Sequence, residues 1–313
     1  MSEQKILIIK LGALGDFILQ SGYVFALHEK YPDAHFTFMT TKPFVPFVKC
    51  MPFVENVIVD TRPRYRISEW WSTCKKGIAD TKWDYIFDLQ ASKRTRKKYF
   101  PLARFLSPYP INWAFLEKNN TFTLYHVDKK RRFTMGKLAK SGIEVKENPI
   151  DMSFCKGEQK NFHLLPEKPF MLVIPGCSAL HPYKRWPAEK YLELVLKAQE
   201  SGIPSVVLGT DAEAKEIQTI CQNSNAVDFQ SKASLLDIPA LAARSCVIVG
   251  NDTGPVHMSC FVQKPAIVLF SQKTARSANR LPNVTNLVAD KIENISVDEV
   301  WNEVQKSITC KKD

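Results

Sequence analysis

The sequence predicts an α/β protein made of two Rossmann-like domains with parallel sheets facing a central cleft. Three observations predict it. Strand-like apolar runs alternate with helix-period segments almost from end to end, which is the pattern of parallel strands covered by helices. A polar stretch at residues 148–168, with Pro149 and Pro166 and no helical period, separates two halves of similar size. The 313 residues are enough for two domains, and 45% hydrophobic with 24% charged residues is the composition of a packed globule. The expected domains are 1–160 and 161–313.

Residues 5–10 form a buried strand, and 17–30 the helix after it, with Phe17, Ile18, Val24, Phe25 and Leu27 on its apolar side. Further strands are expected at 35–40, 56–60, 85–89 and 111–115. The second half repeats the scheme: strands at 170–174, 204–208, 246–249 and 266–270, and helices at 187–201, 212–222, 234–243 and 255–262. The apolar runs 170–175 and 266–270 fall far short of the ~18 residues that span a bilayer. The run between Lys5 and Lys10 is too short for a signal-peptide core. A cytosolic chain is expected. With Gly 12 and Pro 19, and without an internal period, the composition excludes low-complexity and solenoid architectures.

The eight cysteines are nowhere closer than 14 residues, so no paired spacing points to zinc, an iron–sulfur cluster or a redox dithiol. The charge is more informative. Residues 60–140 carry 19 Lys and Arg against 7 Asp and Glu, a net of +12, whereas the rest of the chain is nearly neutral. The runs Lys93, Arg94, Arg96, Lys97, Lys98 and Lys129, Lys130, Arg131, Arg132 favour an anionic partner over a merely solvated face. Nucleic acid, anionic lipid and phosphorylated glycan all qualify on this ground.

Open parallel sheets bind ligands beyond the carboxyl ends of their strands, and four loops lie there. Lys10-Leu11-Gly12-Ala13-Leu14-Gly15-Asp16 joins a strand to a helix but is neither a GxGxxG nor a Walker loop. Asp16 fits a helix N-cap or a carboxylate placed to take a proton. Between Pro175 and Pro187, Lys184 and Arg185 precede a helix start, where positive potential suits a phosphate. In Gly250-Asn251-Asp252-Thr253-Gly254-Pro255-Val256-His257, a helix start with free N–H groups suits a pyrophosphate, and His257 is placed to reach it or to fill the core. Asp211 and Glu213, after another strand, fit ribose binding, with helix capping by Asp211 as the rival account.

In these loops, together with Asp84-Tyr85-Ile86-Phe87-Asp88-Leu89-Gln90, the sequence resembles glycosyltransferase family 9, the ADP-heptose:lipopolysaccharide heptosyltransferases of Gram-negative bacteria. Each motif is weak alone, and their order over residues 5–270 is specific. The resemblance implies a GT-B fold, with the acceptor on the N-terminal domain and the nucleotide-sugar on the C-terminal one. It also implies inverting transfer with no cofactor or required metal. Asp16 matches the general base, Lys184 the cation on the donor diphosphate, and Asp252, Thr253, Gly254 and His257 the donor-phosphate loop. Arg185, Ser178 and Glu213 join the expected donor site, and Gly12, Gly15, Gln90, Lys93, Arg94 and Arg96 the expected acceptor site. One departure is that Ala179 and Leu180 stand where some members carry hydroxyls.

The expected partners are an ADP-sugar donor and an anionic lipid-linked glycan acceptor at the cytosolic face of the inner membrane, the chain being cytoplasmic and peripheral. Trp70, Trp71 and Tyr65, beside Arg62, Arg64 and Arg66, would help seat it there. The expected reaction moves heptose to the Kdo/heptose–lipid A inner core. A family 9 enzyme with another nucleotide-sugar or a later core acceptor is the alternative within the class. A non-catalytic nucleotide- or nucleic-acid-binding protein is the alternative outside it, although no RNP, zinc-finger or recognition-helix signature is present and no nucleic-acid partner is expected.

Overall fold

The computed structural model describes residues 4–61, 67–118, 121–127, 139–143, 152, 154–177, 181–275, 278 and 281–309. Ser178, Ala179 and Leu180 lie outside the described residues, as do Arg62, Arg64, Tyr65, Arg66 and the basic run 129–132. The chain divides into two compact units, Met1–Ile150 and Asp151–Asp313, each with its own sheet.

The first unit runs β1 (Lys5–Ile9), α1 (Leu14–Lys30), β2 (His35–Thr40), α2 (Val45–Lys49), β3 (Val54–Val59), α3 (Ile67–Cys74), β4 (Tyr85–Asp88), α4 (Phe100–Leu106), β5 (Ile111–Leu116), β6 (Phe122–Val127) and β7 (Ala139–Ile143). Its sheet order is β3-β2-β1-β4-β5-β6-β7. The strands from β3 to β5 are parallel, as the alternation predicts, and β6 and β7 extend the sheet antiparallel. The short 117–121 connection explains the reversal at β6, because a parallel crossover needs a dozen residues or more. Central β1 is buried on both faces and reads as an unbroken apolar run. Leu7 and Ile9 face a core shared with Cys74, Ile78, Tyr99 and Phe100. On the opposite face, Phe17 of α1 stacks on Phe38 of β2 with ring centroids 5.7 Å apart.

The second unit runs β8 (Phe170–Ile174), α5 (Ala188–Glu200), β9 (Ser205–Gly209), α6 (Ala214–Gln222), β10 (Val227–Gln230), α7 (Ile238–Arg244), β11 (Ser245–Asn251), α8 (Gly254–Cys260), β12 (Ala266–Ser271), β13 (Val284–Ala289) and α9 (Val297–Thr309). Its six strands, in the order β10-β9-β8-β11-β12-β13, are all parallel. Tyr191, Leu194, Ile217, Ile220, Val300 and Val304 pack from the helices onto Met171, Val173, Val207 and Val249.

Strand order reverses between β1 and β4 in the first unit and between β8 and β11 in the second. Crevices for ligands form at the carboxyl ends of strands at such switch points. The fold therefore singles out two loop pairs: 10–16 with 88–90, and 175–185 with 251–257. Among the described residues, no helix is long and apolar enough to cross a membrane.

Candidate functional site

At the first switch point the β1–α1 loop is fastened to its neighbours on both sides. The Leu11 amide donates to Gln90 Oε1 at 2.9 Å, and the Thr41 hydroxyl donates to the Leu11 carbonyl at 3.1 Å. Gly12 sits at φ +122°, a conformation that a side chain would strain. Gln90, expected at the acceptor site, thus commits its carbonyl oxygen to holding this loop. The N-cap of α1 is Ala13, and Gly15 and Asp16 are the second and third helical residues. Asp16 is exposed and is not the cap, which removes the capping account of this carboxylate.

Two titratable groups at this switch point, Asp88 and Lys10, stand in the loop motifs with no role assigned from the sequence. Asp88, the last residue of β4, is fully buried; its Oδ1 accepts from the Ala91 amide at 2.8 Å and its Oδ2 from Trp113 Nε1 at 3.4 Å. Burial pushes this carboxyl up to about 6, against those bonds, the Thr95 hydroxyl and the Arg96 charge. Lys10 is 3% exposed, and burial pulls its amine down to about 8 while Asp16 and Asp88 oppose the shift. Only a polar residue ending an apolar strand signalled Lys10, and strand ends are commonly polar.

The basic run after β4 divides in two. Arg94 donates from Nε and Nη2 to both oxygens of buried Asp60, at 2.9 and 2.8 Å, and from Nη2 to the Tyr99 hydroxyl at 3.2 Å. Arg96 pairs with Glu117 at 3.1 Å, donates to the Ala91 carbonyl at 3.2 Å and lies over the Phe115 ring at 4.3 Å. Lys93, Lys97 and Lys98 are exposed. The two arginines thus brace the fold, and the three lysines present charge to solvent.

At the second switch point Asn251, wholly buried at the end of β11, ties three segments together. Its Nδ2 donates to the Pro175 carbonyl at 2.6 Å, and its Oδ1 accepts from the Trp186 amide at 3.2 Å and the Tyr191 hydroxyl at 2.9 Å. The next residue carries the charge. Asp252 accepts from Lys184 Nζ at 2.6 Å through one oxygen and lies 2.9 Å from His257 Nε2 through the other. Burial works to raise the Asp252 carboxyl, but the His257 and Lys184 hydrogen bonds and the Lys184 charge outweigh it and hold the carboxyl below its ordinary range. Thr253 is the N-cap of α8 and Gly254 its first residue, yet the Thr253 hydroxyl is buried with no partner, as is His257 Nδ1.

The remaining donor-site candidates are structurally engaged. Arg185 pairs with Glu216 and donates to the Cys177 carbonyl at 3.1 Å, so it stiffens the β8–α5 loop. Glu213 Oε2 accepts from the Thr210 amide at 2.9 Å and hydroxyl at 2.7 Å in a capping box. Thr210 is therefore the cap, while Asp211 accepts from Gln230 and Ser231, both at 2.9 Å. Gly176 lets Glu213 lie against the β8 loop, since a Cβ there would stand 2.7 Å from Glu213 Cγ.

Two α/β units, one with a carboxylate beside its first strand and the other with a cation–carboxylate–imidazole network beside its own, define a two-domain Rossmann-like protein of the GT-B type. Residues 116–313 match the profile described as "Glycosyltransferase family 9 (heptosyltransferase)", and the chain belongs to that family. It is 27% identical over 161 residues to lipopolysaccharide heptosyltransferase 2 of Salmonella typhimurium, a match covering 48% of this chain and 42% of that protein. The chain thus spans less than half the length of that relative. It is 20% identical over 312 residues to the lipopolysaccharide core heptosyltransferase OpsX of Haemophilus influenzae, covering 94% of this chain and 86% of that one. In fold it is similar to the solved E. coli ADP-heptose LPS heptosyltransferase II, with a TM-score of 0.70 at 18% identity over 99% of this chain and 100% of the other.

Proposed function

We propose that the chain is an inverting, metal-independent transferase that moves heptose from ADP-heptose to the Kdo/heptose–lipid A inner core of lipopolysaccharide. The observation that carries this reading is the Lys184–Asp252–His257 network beside the unpartnered Thr253 hydroxyl, at strand ends within the family-matched stretch. The names of the relatives, which are heptosyltransferases, support the choice of sugar.

Residues 161–313 take the donor. Lys184, the Thr253 hydroxyl and the amides at Gly254 receive the diphosphate, and Asp252, fixed by His257, aims the Lys184 ammonium. Buried His257 acts through Asp252 rather than on the phosphate itself. Glu213 offers its second carboxylate oxygen to the ribose, Arg185 holds the loop, and Ser178 adds a hydroxyl. Residues 1–160 take the acceptor along Gly12, Gly15 and Gln90. Asp16 removes the proton of the acceptor hydroxyl as that oxygen attacks the anomeric carbon; the C–O bond to the diphosphate breaks on the opposite side, and ADP leaves with the electron pair. Fixed positive charge stabilises the leaving group without a metal.

The acceptor is anionic and lipid-linked, so the reaction belongs at the cytosolic face of the inner membrane. Exposed Lys93, Lys97 and Lys98, with Lys75, Lys76, Trp71 and Phe105 also exposed on α3, its continuation and α4, supply charge and aromatic surface for that contact. Mass spectrometry of the lipopolysaccharide core from a strain lacking this chain tests the reading. A core truncated before a heptose is expected, a core lacking a different sugar would reassign the donor, and an intact core would refute the proposal.

A further inference from the structure

The first switch point contains a buried cation that the transfer mechanism has not used. Strand alternation sets its direction. Leu7, Ile9 and Leu11 belong to the core shared with Cys74, Tyr99 and Phe100, so Lys10 falls on the opposite face with Ile8. Ile8 pairs in register with Phe38, whose ring stacks on Phe17 of α1, so this is the α1 face. Asp16 is the residue immediately before Phe17 and lies in the first turn of that helix.

The Lys10 backbone is held from both sides. Its amide donates to the Met39 carbonyl of β2 at 3.0 Å, while the Ile9 carbonyl accepts from the Leu89 and Gln90 amides at 3.0 and 3.1 Å. With the backbone fixed there and only 3% of Lys10 exposed, its side chain has little freedom to reach solvent. The charged groups acting on it are Asp16 from α1 and Asp88 from the end of β4; β2 presents Met39, Thr40 and Thr41 at this level, none of which titrates near neutrality.

We propose that Lys10 is a positioning residue for Asp16: its ammonium, fixed at the end of β1, attracts the Asp16 carboxylate and holds it at the mouth of the β1–α1 loop. Asp88 keeps the ammonium charged in a site that otherwise disfavours charge. The proposal rests on Asp16 being the base of the proposed reaction, while the attraction between the two charges is independent of that reaction. Burial brings the Lys10 amine to about 8, so the device weakens as pH rises through that value. An arginine in its place remains charged throughout.

Two measurements test this. The first is the pH dependence of kcat with ADP-heptose and core acceptor. An alkaline decline near pH 8 is expected in the wild type and is absent in Lys10→Arg, whereas Lys10→Met loses about tenfold or more in kcat, part of the ~10² to 10⁴ that a general base supplies. Donor KM should stay within about twofold, because no donor contact is altered. The same alkaline decline in Lys10→Arg would remove Lys10 from this role. The second measurement is an NMR titration of the Lys10 side chain in the full chain carrying ¹³C-lysine. Its midpoint should fall in Asp16→Asn, since a favourable carboxylate is lost, and an unmoved midpoint would overturn the pairing. The titration needs no turnover, so a chain that shows the shift but transfers no sugar counts against the functional reading and leaves the pairing standing.

Discussion

Asp88, the last residue of β4, and Asp252, the residue just after β11, stand at the switch points of their own units and behave in opposite ways. Each stands at the carboxyl end of the strand that lies beside its sheet's first strand at the switch point, and each is buried. Asp88 receives bonds from an amide and an indole, and its carboxyl rises to about 6. Asp252 receives Lys184 and His257, and its carboxyl drops below the ordinary range. Location alone does not set the charge of a buried carboxylate; its partners do. The two units also differ in the kind of site they form. The second unit closes its charges into a braced network suited to a fixed anion. The first leaves Asp16 exposed, which suits the proton exchange proposed for it.

The sharpest test of that contrast is Asp16→Asn. The side chain is exposed and is not the helix cap, so the variant should still fold, with only a small drop in melting temperature from the charge lost near Lys10, while kcat falls by about 10² to 10⁴. Next comes Arg94→Ala, which leaves the wholly buried Asp60 carboxylate without its bidentate partner. A loss of roughly 3 to 5 kcal/mol in urea unfolding is expected.

The opposed aspartates predict opposed pH dependences of stability. The folded state holds the Asp88 proton longer than the unfolded chain does. Its contribution is therefore full below the unfolded value of about 4 and is lost as pH rises through about 6, by roughly 3 kcal/mol. Asp252 has the reverse sign: its contribution is present above the ordinary carboxylate range and is lost as pH falls through its lowered folded value. Comparing the unfolding of Asp88→Asn and Asp252→Asn with wild type from pH 3 to 7.5 checks both, and slopes changing in the same direction would break the comparison. Smaller again, Lys184→Ala should weaken donor use by about 1.5 to 3 kcal/mol in kcat/KM, the scale of a hydrogen bond to a charged group. The smallest effect is expected for Lys97→Ala. Its stability should stay within about 0.5 kcal/mol, while partition onto anionic vesicles falls by about fivefold at low salt and is restored to parity at high salt.

The sequence made the alternation of strands and helices legible, and with it the loops that hold Asp16, Lys184 and Asp252. It did not distinguish a braced cation from a free one. Arg94 and Arg96 looked like Lys93, Lys97 and Lys98 because their partners Asp60 and Glu117 lie 34 and 21 residues away in sequence. Lys10 and Asp88 were hidden for a related reason, since a polar residue ending an apolar strand looks solvent-bound until the neighbouring strand and helix cover it. The antiparallel strands β6 and β7 were not read from the sequence at all, because FTLYHV and AKSGI carry polar residues among the apolar ones and lack the long apolar run of the buried parallel strands. Asp16 and Asp211 both looked like helix caps, and the caps proved to be Ala13 and Thr210. Side-chain chemistry alone does not fix the turn at which a helix begins.

The proposed reaction joins heptose to a core acceptor with Asp16 as base and Lys184 at the leaving ADP. Rapid mixing of a stoichiometric amount of the purified chain with ADP-heptose and Kdo–lipid A or heptosyl-Kdo–lipid A tests it most directly, with ADP and glycoside quantified in the same quench. One glycoside of inverted anomeric configuration is expected for each ADP released, undiminished by EDTA, and in Asp16→Asn a bound donor that reacts about 10² to 10⁴ times more slowly. A wild-type chain that yields no glycoside from either acceptor, or an Asp16→Asn chain that turns over at the wild-type rate, would contradict it.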